Sequence, residues 1–268
     1  MSPAVASAPP VGKTLTAVRY VTPLREGGSL PAIIEADDGQ LYVVKFRGAG
    51  QGTRALVAEL IAAQVASALG LPVPDAAVIQ IDAAFGRTEP DQEIGDLLSA
   101  SVGNNFGLGY LAGSAMYTRG ADPAPAAALA SAIVWLDAYL MNVDRTVKNP
   151  NLLVRDGQLW LIDHGAALYW HHNWQTDTDR SADRFPLVRD HVLLPWATDL
   201  AAISSDLGAR LTDAHIAAAV AALPDDWLVG PFDNPGAHRA GYHDFLRKRR
   251  DLAAAFVDEA AHARARLV

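Results

Sequence analysis

The chain has 268 residues, half of them hydrophobic and about a fifth charged, which is enough for one large or two modest globular domains. The formal net charge of -8 argues against non-specific nucleic-acid binding, because such binding depends on neutralising phosphates. Cysteine is absent, which excludes disulfides and thiolate metal sites. This composition fits a reducing cytoplasm, and the abundance of alanine suggests a bacterial source.

The amino terminus lacks the basic segment and apolar run of a signal peptide, so we predict that residues 1–14 form a flexible tail. No apolar run approaches the ~18 residues of a membrane-spanning helix, so we expect no membrane span and a cytoplasmic location. We predict that residues 15–268 form the folded part.

The first third of the folded part reads as a small sheet with one strong helix. Runs rich in β-branched residues predict strands at 16–23, 32–35, 41–46 and 78–81. Apolar residues at helical spacing predict a helix at 54–69, which Gly70 ends. A short helix is expected at 89–101, and the glycine-rich residues 101–114 read as a link to a second lobe.

The remainder reads as mainly helical around one hairpin. Helices are predicted at 126–141, 195–207, 212–222 and 240–266, and hairpin strands at 152–154 and 159–162 turn at Asp156-Gly157. Thr212 is a good N-cap for its helix. The basic cluster 247–250 reads as a solvated helix face. The fold class is therefore α+β, with a small lobe at about 15–98 and a larger helical lobe at about 105–268.

Lys45 and Glu59 form the first candidate pair. Lys45 lies in an apolar strand on the same face as Val43, and Glu59 lies fourteen residues later in the middle of the next helix. A lone strand lysine is usually at an edge or facing solvent. A lysine paired with a carboxylate on the following helix, however, can hold a compact positive charge against nucleotide phosphates. We favour phosphate contact.

Two glycine-containing loops are candidates for phosphate binding. The segment GAGQGT at 48–53 lacks the spacing of a dinucleotide or P-loop motif, so a flexible connector is favoured. The turn at 25–29, with Gly27, Gly28 and Ser29, is the better candidate for a loop over phosphates.

The most specific segment runs from Asn142 to Gly165. Asp144 directly follows a buried helix and can act as an ionised general base for a hydroxyl nucleophile. Asp163 follows an apolar strand, where a carboxylate suits Mg²⁺ that also binds phosphate oxygens. An asparagine would complete the metal site. Asn149 lies five residues after Asp144, and Asn151 lies seven after it and directly before the strand, so both stay open, with a preference for Asn151.

Histidines and tryptophans form a second group downstream. Adjacent His171 and His172, with His191, are candidates for a transition-metal site, but the ligand spacing is poor, and a structural or substrate-loop role is favoured. Trp160, Trp170 and Trp174 read as packing residues.

These motifs resemble the protein-kinase-like superfold, in particular the HipA-like and phosphatidylinositol 3/4-kinase-like branch. The resemblance is sharp at Lys45–Glu59 and in DRTVKNPNLLVRDGQLWLIDHG, and loose over about 15–220. It implies a bilobal kinase fold that uses ATP and Mg²⁺. Lys45 would contact phosphate, Glu59 would position Lys45 and Asp144 would be the catalytic base. Asp163 with Asn151 or Asn149 would hold the metal.

The resemblance has departures. His164 stands where Phe is usual, Asn142 stands where protein kinases carry His, and the loop from Asp144 to Asn151 is longer than usual. The expected function is transfer of the γ-phosphate of ATP to a hydroxyl of a protein (Ser/Thr) or small molecule. A nucleotide-binding pseudokinase and a nucleotidyl transferase on the same fold are the alternatives. The sequence does not identify the acceptor, the oligomeric state or any regulatory partner.

Overall fold

The computed structural model describes residues 12–24, 30–87, 89–175 and 177–267, and its first half is built on a closed five-stranded barrel. The strand order is β1–β2–β3–β5–β4, with β1 and β4 parallel and the other neighbours antiparallel. The strands are β1 (Lys13–Pro23), β2 (Ala32–Ala36), β3 (Leu41–Lys45), β4 (Ala76–Ile81) and β5 (Gly103–Gly109). Alternating residues such as Ile34, Val44 and Ile79 fill the interior.

Two expectations about this region were wrong. The strand β1 begins at Lys13, inside the predicted tail, because residues 13–16 pair with β4. Residues 103–109 are not part of a link but form β5 between β3 and β4, so the expected small sheet closes into a barrel.

The strand β5 was not predicted because its sequence is rich in glycine and asparagine. Buried Asn105 donates to the carbonyls of Ser101 (2.8 Å) and Gly103 (2.9 Å) and accepts from the Arg47 N–H (2.8 Å), so its polarity is satisfied by backbone. A Cβ on Gly107 would lie 2.5 Å from Ile79 Cγ1, so this position requires glycine.

The helix α1 (Gly52–Ala68) lies between the barrel and the helical part of the chain. Residues 55–66 are all buried, because α1 packs on β4 and β5 on one side and on α5 (Asp213–Ala221) on the other. Gly70 has a φ of 74°, as expected for the residue that follows a helix end. The predicted short helix is α2 (Gln92–Ala100), which Asp91 caps.

The second half is mainly helical and carries a three-stranded sheet. The structure confirms the helix predicted at 126–141, the hairpin of strands 152–154 and 159–162, and the helix that Thr212 caps. The Thr212 side chain accepts a hydrogen bond from the His215 N–H. The elements are β6 (Ala115–Met116), α3 (Ala127–Tyr139), β7 (Leu152–Arg155), β8 (Gln158–Leu161), α4 (Leu200–Arg210), α5, α6 (Pro235–Asp251) and α7 (Ala254–Ala265). Both turn residues Asp156 and Gly157 have positive φ, as a tight hairpin turn requires.

The carboxyl-terminal helix differs from its prediction in two respects. It is broken at Leu252 and Ala253 into α6 and α7, and α6 begins earlier, where Asn234 caps it. The basic cluster is not wholly solvated, because Arg249 is fully buried. Arg249 continues the buried stripe of Tyr242, Phe245 and Leu246 along α6. No helix in the described residues has the length and apolar character needed to cross a membrane.

Candidate active site

A cavity of about 1340 Å³ opens between the barrel and the β7–β8 hairpin. It is lined by the six described residues to which the sequence assigned a phosphate-binding, catalytic or magnesium-binding role, namely Lys45, Glu59, Asp144, Asn149, Asn151 and Asp163. Residues more than a hundred positions apart in sequence are thus brought to one surface.

Lys45 joins the barrel to the hairpin. Its Nζ contacts Glu59 Oε1 on α1 and lies 2.5 Å from Asp163 Oδ1 after β8. Burial disfavours the charge of Lys45, but the carboxylates of Glu59 and Asp163 outweigh it and raise the pKa of Lys45 to about 12. The ammonium is therefore charged and faces the cavity.

Glu59 makes a second contact that fixes the turn after β8. Its Oε2 accepts the backbone N–H of His164 at 3.0 Å, and its side chain is buried. A Cβ on Gly165 would lie 3.2 Å from Glu59 Oε1, so glycine allows the close approach of α1 and this turn. One carboxylate thus holds both the lysine and the residue next to Asp163.

Asp144 lies half-buried at the start of a compact loop. Its backbone N–H donates to Asn142 Oδ1 at 3.2 Å. Its Oδ2 accepts from Asn149 Nδ2 at 2.7 Å and from Asn151 Nδ2 at 3.5 Å. Both asparagines that spacing and strand position proposed therefore adjoin the same carboxylate.

Asn151 and Asp163 share an unusual backbone conformation at the mouth of the hairpin. Their φ values are 49° and 52°, in the left-handed region that Asn and Asp tolerate better than most residues. The Ile162 N–H donates to the Asn151 carbonyl at 3.1 Å, which continues the pairing of β7 and β8. Because the hairpin register fixes both residues, both line the cavity.

The oxygen-rich donor set fits Mg²⁺ rather than a transition metal. The carboxylate of Asp163 and the amide oxygens of Asn149 or Asn151 are hard ligands of the kind Mg²⁺ prefers. In the described residues, no three His, Asp or Glu side chains are placed to hold a metal together. A cation here would therefore take further ligands from a bound phosphate.

A buried ion pair behind the loop was missed by the sequence reasoning. Arg145 points away from the cavity and its Nε contacts Asp137 Oδ2 at 2.5 Å, with both side chains fully buried. His191 Nε2 lies 3.0 Å from the same oxygen, so His191 belongs to this buried cluster. A lone Asp in the apolar α3 sequence LDAYL was the available signal.

The remaining predicted residues lie elsewhere or are not described. Gly27, Gly28 and Ser29 fall outside the described residues, although Leu24 and Pro31 on either side line the cavity. The GAGQGT segment forms turns that lead into α1.

The predicted packing role of two tryptophans is confirmed. Trp170 lies with its ring centroid 4.3 Å from those of Trp174 and Phe245. His171 Nδ1 lies 3.0 Å from the Tyr242 hydroxyl in the same aromatic cluster. His172, by contrast, lines the main cavity.

Comparison with solved structures identifies a protein of similar architecture. The chain is similar to the crystal structure of a Helicobacter pylori proinflammatory kinase, CtkA, with a TM-score of 0.56 and 13% sequence identity, over 96% of this chain and 98% of that chain. At that identity the likeness shows the fold, so this mixed α/β chain has the fold of a kinase.

The family follows from the sequence. A family model for HipA-like kinases matches residues 18–239, which is most of the chain. The chain therefore belongs to the HipA-like kinase family, as its motifs predicted, and is a kinase-type enzyme. A search of curated protein sequences gives no significant match.

Proposed function

We propose that this protein transfers the γ-phosphate of ATP, with Mg²⁺, to a hydroxyl of a protein (Ser/Thr) or of a small molecule. The contact of Lys45 with both Glu59 and Asp163, in the cavity that also contains Asp144, carries this proposal. A charged lysine, a carboxylate suited to a metal and a second carboxylate free to accept a proton are the groups that phosphoryl transfer requires.

Each residue has a distinct part in this chemistry. Lys45 binds phosphate oxygens, and Glu59 keeps the lysine in place. Asp163, with Asn151 or Asn149, holds Mg²⁺, which neutralises charge on the phosphates when bound.

Asp144 accepts the proton of the acceptor hydroxyl as its oxygen bonds to the γ-phosphorus. The bond from that phosphorus to the bridging oxygen of ADP then breaks, and ADP leaves. Asn149 holds one oxygen of Asp144 through its amide, which leaves the other oxygen to face the acceptor.

The same proposal gives the layout of the molecule as two lobes. The barrel with α1 and α2, residues 13–109, forms the smaller lobe, and the helical part with the hairpin forms the larger one. Residues 110–114 connect them, which moves the boundary expected from the sequence because β5 belongs to the barrel. The nucleotide would lie in the cavity between them, where Tyr110 and Leu111 also contribute to the wall.

The loop 25–29 is proposed to cover the phosphates. Support comes from its flanks, since Leu24 and Pro31 line the cavity and the Leu24 N–H donates to the Pro31 carbonyl at 2.7 Å. The described residues on either side of 25–29 therefore line the cavity, and the small residues Gly27, Gly28 and Ser29 suit a segment that phosphate approaches closely.

The reaction is tested with ATP labelled at the γ or α phosphate, incubated with Mg²⁺ and candidate acceptors. Transfer of γ label alone supports the kinase, and transfer of α label supports a nucleotidyl transferase. No transfer, together with an ATP-dependent rise in melting temperature, supports a pseudokinase, because a ligand that binds only the native state stabilises it.

The role of Asp144 is tested by Asp144→Asn. We expect kcat to fall about 10²–10⁴-fold, the usual worth of general base catalysis, with little change in ATP affinity. Asp156→Asn is the matched control, because Asp156 is on the exposed hairpin turn, and its activity should equal that of the wild type. An Asp144→Asn enzyme with wild-type kcat would refute the assignment of the base.

A further inference from the structure

The carboxylate of Asp137 accepts hydrogen bonds from three buried residues, directly behind the candidate active site. Asn142 Nδ2 donates to Oδ1 at 2.8 Å, while Arg145 Nε and His191 Nε2 reach Oδ2 at 2.5 and 3.0 Å. The Leu193 N–H donates to His191 Nδ1 at 3.0 Å, which leaves the proton on Nε2 to be donated to Asp137. We refer to Asp137, Arg145 and His191 as the buried triad.

The guanidinium of Arg145 connects the triad to the two segments that carry the candidate metal ligands. Its NH1 group donates to the carbonyl of Asn151 and, at 3.3 Å, to the carbonyl of Ile162. The first carbonyl belongs to a candidate metal ligand, and the second immediately precedes Asp163. Arg145 therefore fixes the two peptide units whose neighbouring side chains point into the cavity.

Stability alone is a poor explanation for this arrangement. A buried ion pair often contributes little net stability, because the cost of removing both charges from water offsets their attraction. The planar guanidinium, however, offers several donors in fixed directions, which the compact ammonium of a lysine does not. It can bond to Asp137 and two backbone carbonyls together, and this fixes geometry.

We propose that Asp137 and Arg145 are positioning residues for the metal-binding side of the phosphotransfer site. They hold Asn151 and Asp163 in their left-handed conformations, so that both side chains present oxygen to one cation. This inference rests on the proposed function, because it concerns the Mg²⁺ that the nucleotide would bring. His191 orients Asp137, so its effect on Asn151 and Asp163 is indirect.

Arg249 provides a matched control within the same chain. It is also fully buried, and it donates to the carbonyls of Ala138 and Tyr139 (both 2.7 Å), Asp183 (2.9 Å) and Ser181 (3.1 Å). None of these carbonyls belongs to, or adjoins, a candidate catalytic residue or metal ligand, and Ala138, which follows Asp137, is held within α3 by the hydrogen bonds of the helix. Loss of this guanidinium should therefore affect folding without affecting the metal.

The test compares Arg145→Lys with Arg249→Lys. Both should lower the melting temperature. Only Arg145→Lys should raise the Mg²⁺ concentration needed for half-maximal ATP binding, measured by titration calorimetry, by about tenfold or more, as expected when support of metal ligands is lost. Amide hydrogens of residues 144–149, 151 and 162–165 should also exchange faster in Arg145→Lys alone.

A milder pair of variants covers the case in which Arg145→Lys does not fold. His191→Leu removes one donor to Asp137, whereas His191→Gln keeps an N–H near the same place. We expect the Mg²⁺ requirement to rise in His191→Leu and to return toward the wild-type value in His191→Gln. A change in melting temperature without any change in Mg²⁺ requirement, in every triad variant that folds, overturns the inference.

The outcome separates the two proposals. If ATP binding by the wild type does not depend on Mg²⁺, the proposed use of Mg²⁺ is refuted without any comparison of variants. If the wild type depends on Mg²⁺ and the triad variants depend on it equally, the proposed function stands and the positioning role fails.

Discussion

The stability of the protein should depend on pH through His164, whose ring is buried behind the cavity. Burial, with help from the Arg145 cation, lowers the pKa of His164 to about 3 from the usual 6.5. Between these two values the unfolded chain binds a proton that the folded chain does not bind. The contribution of His164 to stability is therefore fully present above about pH 6.5 and is lost as the pH falls toward 3.

The magnitude follows from the linkage relation. Each pH unit below the unfolded value costs about 1.4 kcal/mol for one such histidine, so lowering the pH from about 7.5 to about 5.5 removes about 1.4 kcal/mol. His164→Phe removes this loss. It also removes a ring nitrogen, Nε2, that has no hydrogen-bond partner among the described residues.

The assay is urea unfolding of both proteins at the two pH values. The difference in unfolding free energy between His164→Phe and the wild type should move by about 1.4 kcal/mol in favour of the variant at the lower pH. The other buried histidines and Asp137 are common to both proteins and cancel in this difference. The exposed His262→Phe serves as the control, because its ring is in water in both states. An equal difference at both pH values would refute the reasoning.

Two further substitutions test the site and the fold. Glu59→Gln removes a charge-assisted contact with Lys45 worth about 1.5–3 kcal/mol, so kcat/KM for ATP should fall by about 10–100-fold. Glu35→Gln, which loses only an exposed ion pair with Arg19, should leave kcat/KM for ATP unchanged. An equal fall in kcat/KM in both variants would contradict the special role of Glu59. Gly107→Ala should cost about 1–3 kcal/mol and lower Tm by several degrees, because its Cβ meets Ile79 inside the barrel. Gly95→Ala, on α2 with open space around it, should raise Tm slightly, and a similar rise in Gly107→Ala would refute the barrel packing.

The residues proposed to carry out the chemistry could be selected from the sequence because local patterns fix their positions. Lys45 follows from strand alternation, and Asn151 and Asp163 follow from the ends of two hairpin strands. The choice between Asn149 and Asn151 could not be made, because both amides adjoin Asp144 and only a bound cation would separate them.

Other features depend on contacts between distant segments and could not be predicted from local patterns. The sequence of β5 is typical of a loop because it contains the polar residue Asn105. The hydrogen bonds that allow Asn105 to be buried come from backbone groups that only the closed barrel brings together. Asp137 looks like an isolated polar residue until Arg145 and His191 meet it. Arg249 was assigned to solvent with its basic neighbours, although its spacing of seven from Tyr242 along α6 marks it as a buried position.

The burial of α1 bears on how this enzyme could be controlled. Moving Glu59 away from Lys45 would mean withdrawing a helix with twelve consecutive buried residues. Each large aliphatic side chain on it is worth about 1.5–3 kcal/mol, so withdrawal would consume most of the ~5–15 kcal/mol that holds a typical domain together. The lysine–glutamate contact is thus a permanent part of the architecture. Control of catalysis is therefore expected to act on other parts of the site, such as the binding of substrates, while α1 stays in place.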